Sequence, residues 1–155
     1  MKIFTQIVSS DSMSFPSNLL SLKLTFDDRK RARLKSVSEC GQTVGIQIER
    51  GIILRDNMYL KSDDGQILKI LASNESVSSA HVHNATLFAR ACYHLGNRHV
   101  PLQIGVNFLR YQYDSVLDEM LQQLGVDVIH ENAPFEPEGG AYSVAHAHHH
   151  SPSHA

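Results

Sequence analysis

In the first half of the chain, apolar and polar side chains alternate with the period of two that a half-buried strand requires. Leu22-Lys23-Leu24-Thr25-Phe26 shows this before Asp27-Asp28 breaks the run. Residues 34–38, 44–48, 58–60 and 67–71 repeat it, with turn signals at Arg50-Gly51, Arg55-Asp56-Asn57 and Asp63-Asp64-Gly65. Short strands punctuated every ~8–12 residues predict a small all-β unit. The small, polar stretch 72–76 reads as a linker, so an N-terminal β domain is expected over residues 1–72.

The second half changes period. Asn84 suits an N-cap, and Leu87, Phe88, Ala91 and Leu95 follow at helical spacing until Gly96 closes the helix. Residues 102–106 and 108–111 read as two short strands around Asn107. Asp114 or Ser115 caps a second helix with Val116, Leu117, Met120, Leu121 and Leu124 on one face, ending at Gly125; residues 126–129 form a last strand. With a strand over 77–83 the order is β-α-β-β-α-β, the ferredoxin-like pattern, over a domain of residues 77–133. The fold class is therefore α+β. From Pro134 the periodicity stops. Pro137, Gly139-Gly140 and a histidine-rich end make residues 134–155 a flexible tail, disordered when metal-free, because such a composition cannot offset its ordering entropy.

Composition excludes more than it assigns. The 155 residues are 42% hydrophobic and 19% charged, as in ordinary globular proteins. A net charge of −2 gives no basis for nucleic-acid binding. The basic run Arg29-Lys30-Arg31-Ala32-Arg33, balanced by Asp27 and Asp28, reads as a solvated turn-to-strand segment. No apolar stretch reaches the ~20 residues of a membrane span, and the N-terminus turns polar too quickly for a signal peptide. Cys40 and Cys92 lack a CxxC spacing, which leaves the reducing cytoplasm as the expected compartment.

Histidine changes the picture. Of 10 histidines, His146, His148, His149, His150 and His154 lie near the C-terminus. Neutral imidazole suits borderline ions such as Ni²⁺, Cu²⁺ and Zn²⁺, and an unstructured run holds them labile and unselective, which fits carriage better than catalysis. The run is interrupted, unlike a cloning tag. His81 and His83, two apart on a strand, share a face and either join at an ion or are solvated strand-end residues. His94 lies near a helix C-terminus, where a cation is favoured by the dipole. His130 reads as a surface residue. By composition alone His99, after Gly96-Asn97-Arg98, reads as a turn residue with a lesser case as a ligand.

No GxSxG, P-loop, GxGxxG or HExxH occurs. Asp118 and Glu119, adjacent on a helix, project from different sides, and Glu136 and Glu138 lie among prolines. No catalytic residue is assigned, and an enzyme is not expected.

The stretch Gly96-Asn97-Arg98-His99-Val100-Pro101-Leu102-Gln103 resembles the signature of the UreE urease accessory proteins. Leu24-Thr25-Phe26-Asp27-Asp28-Arg29 with Arg33-Leu34, Val44-Gly45-Ile46 through Arg50-Gly51, Val116 to Gly125, and Pro134-Phe135-Glu136-Pro137-Glu138 agree in order along the chain. The resemblance implies an N-terminal β domain, a ferredoxin-like domain like those of copper chaperones, and a homodimer formed through the C-terminal domains. It implies that His99 meets its symmetry mate and binds Ni²⁺ at that interface, with tail histidines completing the shell and Cu²⁺ or Zn²⁺ fitting the same ligands. It implies delivery to urease with the GTPase UreG as partner, and no membrane or nucleic acid. Where some relatives read Tyr-His-His-Asp-His, this chain has Tyr111-Gln112-Tyr113-Asp114-Ser115, so no peripheral metal site is expected there. Two rivals stand beside delivery: a nickel storage or detoxification protein working through its tail, and an enzyme with a metal at His99.

Overall fold

Ten strands and three α-helices build two sheets in the computed structural model, which describes residues 1–12, 16 and 19–140. The N-terminal sheet has six strands: β1 (Lys2–Val8), β2 (Leu20–Leu24), β3 (Arg33–Val37), β4 (Thr43–Gln47), β5 (Tyr59–Ser62) and β6 (Ile67–Ala72), in the order β2-β6-β5-β1-β4-β3. Its core gathers the inward positions of each strand, among them Phe4, Leu22, Val44, Ile46, Leu60 and Ile70.

β1 lies centrally, parallel to β4 and antiparallel to β5, although its sequence shows no clean alternation of apolar and polar residues. Only Phe4 of its seven residues is buried, and the ladder slips between Phe4 and Gln6, so its backbone partners on both sides hold it rather than an apolar face. The strand read over 22–26 is displaced to Leu20–Leu24, because Thr25 caps a four-residue helix α1 (Phe26–Arg29) through its Oγ1.

At the β5–β6 hairpin, Ser62 Oγ donates to Asp64 and Lys2 Nζ lies 2.9 Å from the same carboxylate. These contacts, the Ser62 hydrogen bond foremost, hold the Asp64 pKa at about 2. A depressed carboxylate contributes its stability in full above its ordinary value of about 3.9 and loses it as pH falls through the folded value. A side-chain NMR titration should therefore give Asp64 a midpoint near 2, and a midpoint near the ordinary ~3.9 would refute these bonds in solution.

The C-terminal domain comprises β7 (Asn74–His81), α2 (Ala85–Asn97), β8 (Gln103–Gly105), β9 (Phe108–Gln112), α3 (Ser115–Gln123) and β10 (Ile129–Pro134), with sheet order β10-β7-β9-β8. All its pairings are antiparallel, and both helices pack on one face against Ala80, Val82, Leu109 and Tyr111. This is the ferredoxin-like arrangement expected. Tyr111 is fully buried, its hydroxyl donating to Asp118 at 2.6 Å, and burial pushes its pKa up. Asp118 is thereby a packing partner.

Four boundaries differ from the sequence reading. The expected linker is mostly strand: only Ser73 separates β6 from β7, and residues 74–76 pair with β10. The last strand is Ile129–Pro134 instead of 126–129, since Val126 packs into the core while the ladder begins at Ile129↔Ser79. β10 is a polar edge strand, barely buried, and shows no apolar alternation. Gly96 does not close α2, which runs on to Asn97. Finally, residues 134–140, expected to be loose, are packed: Phe135 is fully buried with Phe26 and Val77.

Arg29 is the other departure. Instead of being solvated, it is fully buried. Its Nε donates to Leu24 O at 3.3 Å and its Nη1 to Leu54 O at 3.2 Å, while the two Nη atoms also reach Phe135 O and Glu136. Burial pushes its pKa down, against the opposing pull of Glu136.

Candidate metal centre

α2 starts at Asn84, whose Oδ1 accepts the Leu87 N–H at 2.9 Å, and it buries Ala91 and Leu95. At its other end Arg98 is the C-cap, and His99 follows with φ 57°, its N–H donating to Gly96 O at 3.0 Å. That is the left-handed residue that stops a helix, a position usually held by glycine or asparagine. A Cβ there costs about 1–2 kcal/mol, and the imidazole it carries is exposed. The turn thus presents a ligand-type side chain at the surface on a backbone conformation that costs energy to hold.

The other histidines do not converge on it. His81 and His83 are exposed on either side of buried Val82, so they share a face, but α2, about 20 Å long at 1.5 Å per residue, separates them from the His99 turn. His81 packs on Phe108, with ring centroids 5.1 Å apart. His94 sits against Tyr93 within α2 at 5.3 Å. His130 is engaged elsewhere: its Nε2 lies 2.7 Å from Ser76 Oγ and its ring stacks on Tyr113 at 4.0 Å. Cys92 is half-buried against the core, and burial pushes its thiol up, away from the thiolate a metal needs. Among the described residues no three His, Cys, Asp or Glu side chains form a group able to hold an ion. His146, His148, His149, His150 and His154 lie outside the described residues.

Beside the His99 turn a depression of about 210 Å³ is lined by Val100, Pro101, Tyr113 and Asp114 among others. Among the described residues no histidine lines it, and Asp114 Oδ1 is occupied in capping α3, accepting from Val116 and Leu117.

What the sequence reading missed is how the chain approaches this turn from its C-terminal side. Arg110 Nη1 donates to Pro134 O, Glu136 N–H to Gln103 Oε1 at 2.9 Å, and Glu138 N–H to Leu102 O at 2.8 Å. Residues 134–138 thus cross the sheet from β10 at one edge to β8 at the other, on the face opposite the helices. The lone aromatic Phe135 between prolines was the available sign that this segment packs.

The same turn lies inside a match to a family model described as the UreE urease accessory protein, C-terminal domain, over residues 75–155. The N-terminal domain of that family matches residues 16–73. The chain belongs to the UreE family. Named urease accessory protein UreE, a relative from Alkalilimnicola ehrlichii is 49% identical over 122 residues, covering 79% of this chain and 75% of its own. One from Teredinibacter turnerae is 50% identical, covering 77% of each chain. A third from Vibrio parahaemolyticus is 41% identical, with 95% of this chain and 98% of its own covered. Family membership makes this an accessory protein with a role in urease maturation. No helix among the described residues is long and apolar enough to cross a membrane.

Proposed function

We propose that this UreE-family chain is a metallochaperone that binds Ni²⁺ and delivers it for assembly of the urease nickel centre. The observation that carries the reading is His99, exposed and held in a left-handed conformation that its side chain does not favour. One imidazole is a poor site. A second copy related by a two-fold axis would double it and fix both rings.

Two features of α2 support a homodimer through this surface. Among the described residues a Cβ at Gly96 would meet nothing within 4 Å, so no contact there requires glycine, although glycine costs about 1 kcal/mol in a helix. Tyr93, one turn earlier on the same side, is 68% exposed. The tail histidines His146, His148, His149, His150 and His154 then act as labile collectors that complete the shell, and Cu²⁺ or Zn²⁺ would fit the same imidazoles. Cargo passes by ligand exchange, with no bond chemistry at carbon or phosphorus, to a cytoplasmic activation complex of urease apoprotein and the GTPase UreG.

Equilibrium dialysis tests the division of labour. A chain ending at Tyr142 should bind fewer Ni²⁺ ions per dimer yet keep one site that His99→Ala removes. Loss of all binding on truncation would leave the tail as the only store, the storage reading. In the full chain, bound Ni²⁺ should leave as pH falls through the ordinary histidine range, about 6.5, because protonated imidazole cannot ligate. Retention well below that range would point to carboxylate ligands.

A further inference from the structure

Residues 134–138 form a strap, and its course has a consequence for the histidines that follow. At β10 the chain stands at one edge of a four-stranded sheet, three strand spacings from β8, about 14 Å at ~4.8 Å each. The strap removes that separation. Its anchors come from both domains: Arg29 holds Phe135 O and the Glu136 carboxylate, Arg55 Nη1 donates to Pro137 O at 2.6 Å, and Gln103 accepts the Glu136 N–H. Phe135 fills the space between, edge-on to Phe26 with centroids 5.5 Å apart. The last anchor, the Glu138 N–H on Leu102 O, lies three residues from His99, at most about 11 Å of chain.

We propose that the strap is a positioning device: it carries the chain across the sheet and fixes the root of the histidine tail beside the His99 turn. From Glu138 the first tail histidine, His146, is eight residues away, a reach of about 28 Å when extended, which is long enough to span from the strap's last anchor to the His99 turn. Released at Pro134, the tether would lengthen to twelve residues and start from the far edge. Effective concentration falls steeply with tether length. Arg29 and Arg55 of the N-terminal domain thereby act on metal capture without touching metal. The proposal rests on the nickel reading of His99 for its consequence, and on strap geometry alone for its premise.

Two measurements on the full-length chain separate these. With Cys40 and Cys92 replaced, nitroxide labels at Asn97→Cys and Ala141→Cys report the root-to-turn distance in metal-free protein by pulsed EPR. Arg55→Ala with Gln103→Ala, which removes the two anchors after Phe135 and spares the buried Arg29, should lengthen the mean distance by about 5 Å, one strand spacing, and broaden it. An unchanged distribution overturns the proposal. In unlabelled protein the same pair should weaken the His99-dependent Ni²⁺ site by up to about twofold, while the tail sites measured in His99→Ala keep their affinity. Equal weakening of both classes, or of neither, overturns the positioning role. Should His99→Ala leave the Ni²⁺ titration untouched, the nickel reading of His99 fails, and the EPR distances still decide the strap.

Discussion

Replacing His99 by glycine should abolish the tail-independent nickel site and leave the fold at least as stable as before. At φ 57° the His99 backbone sits where a β-carbon costs about 1–2 kcal/mol. Glycine removes that cost and returns part of it through the greater freedom of its unfolded chain, about 0.5–1 kcal/mol, so a net gain of about 0.5 kcal/mol is expected. His99→Asn keeps a residue that tolerates this conformation and should be close to neutral. Both variants remove the imidazole, and urease activation at limiting nickel should fall at least about tenfold, the lower end of what disturbing a metal site costs. Denaturant unfolding and urease activity in cells read the two effects separately. A variant that loses activation and also loses more than about 1 kcal/mol would make His99 a structural residue whose metal role is secondary. Gain in stability with loss of function is the outcome that a strained ligand predicts and a turn residue does not.

How far the sequence disclosed this depends on where burial falls. β6, α2 and α3 were legible because their buried residues recur at strand and helix periods, and Asn84 starts α2 while Asp114 and Gly125 bound α3 as capping chemistry requires. β1 and β10 were not, since one buries a single side chain fully and the other, as a polar edge strand, almost none. Arg29 was hidden for a different reason. Its neighbours Lys30, Arg31 and Arg33 are exposed, and nothing in a charge run tells which member turns inward; the partners that decide it are more than a hundred residues away, at Phe135 and Glu136. His99 occupies the middle ground. Periodicity put the helix stop at Gly96, and only the observed backbone shows the histidine itself in the left-handed position. The resemblance to a known family singled out His99 where the pattern of residues alone did not.

Arg29→Ala should cost about 3–5 kcal/mol, the largest loss expected of any single change to a charged residue here. The guanidinium is fully buried and serves Leu24 O, Leu54 O, Phe135 O and the Glu136 carboxylate together. Alanine leaves three carbonyls and a carboxylate short of a donor and opens a cavity between the N-terminal domain and the strap. The Glu136 side chain is 29% exposed and can turn to water, which places the expected loss toward the lower end of that range. Arg29→Lys should recover less than half, because an ammonium cannot present the planar fork that meets carbonyls on opposite sides. A double substitution to methionine at Arg29 and Glu136 distinguishes a stranded charge from lost packing. If the single-variant cost is chiefly the uncompensated carboxylate, the pair should be more stable than Arg29→Met alone by at least about 1 kcal/mol. Should the double variant be no better, the carbonyls of Leu24, Leu54 and Phe135 carry the cost, and the strap is held by its backbone more than by its ion pair. In either case Glu138 amide exchange should accelerate with the loss, since the strap's last hydrogen bond lies downstream of the Arg29 anchor. Protection that survives a loss of several kcal/mol would show instead that Phe135 burial and the Gln103 contact suffice to seat it.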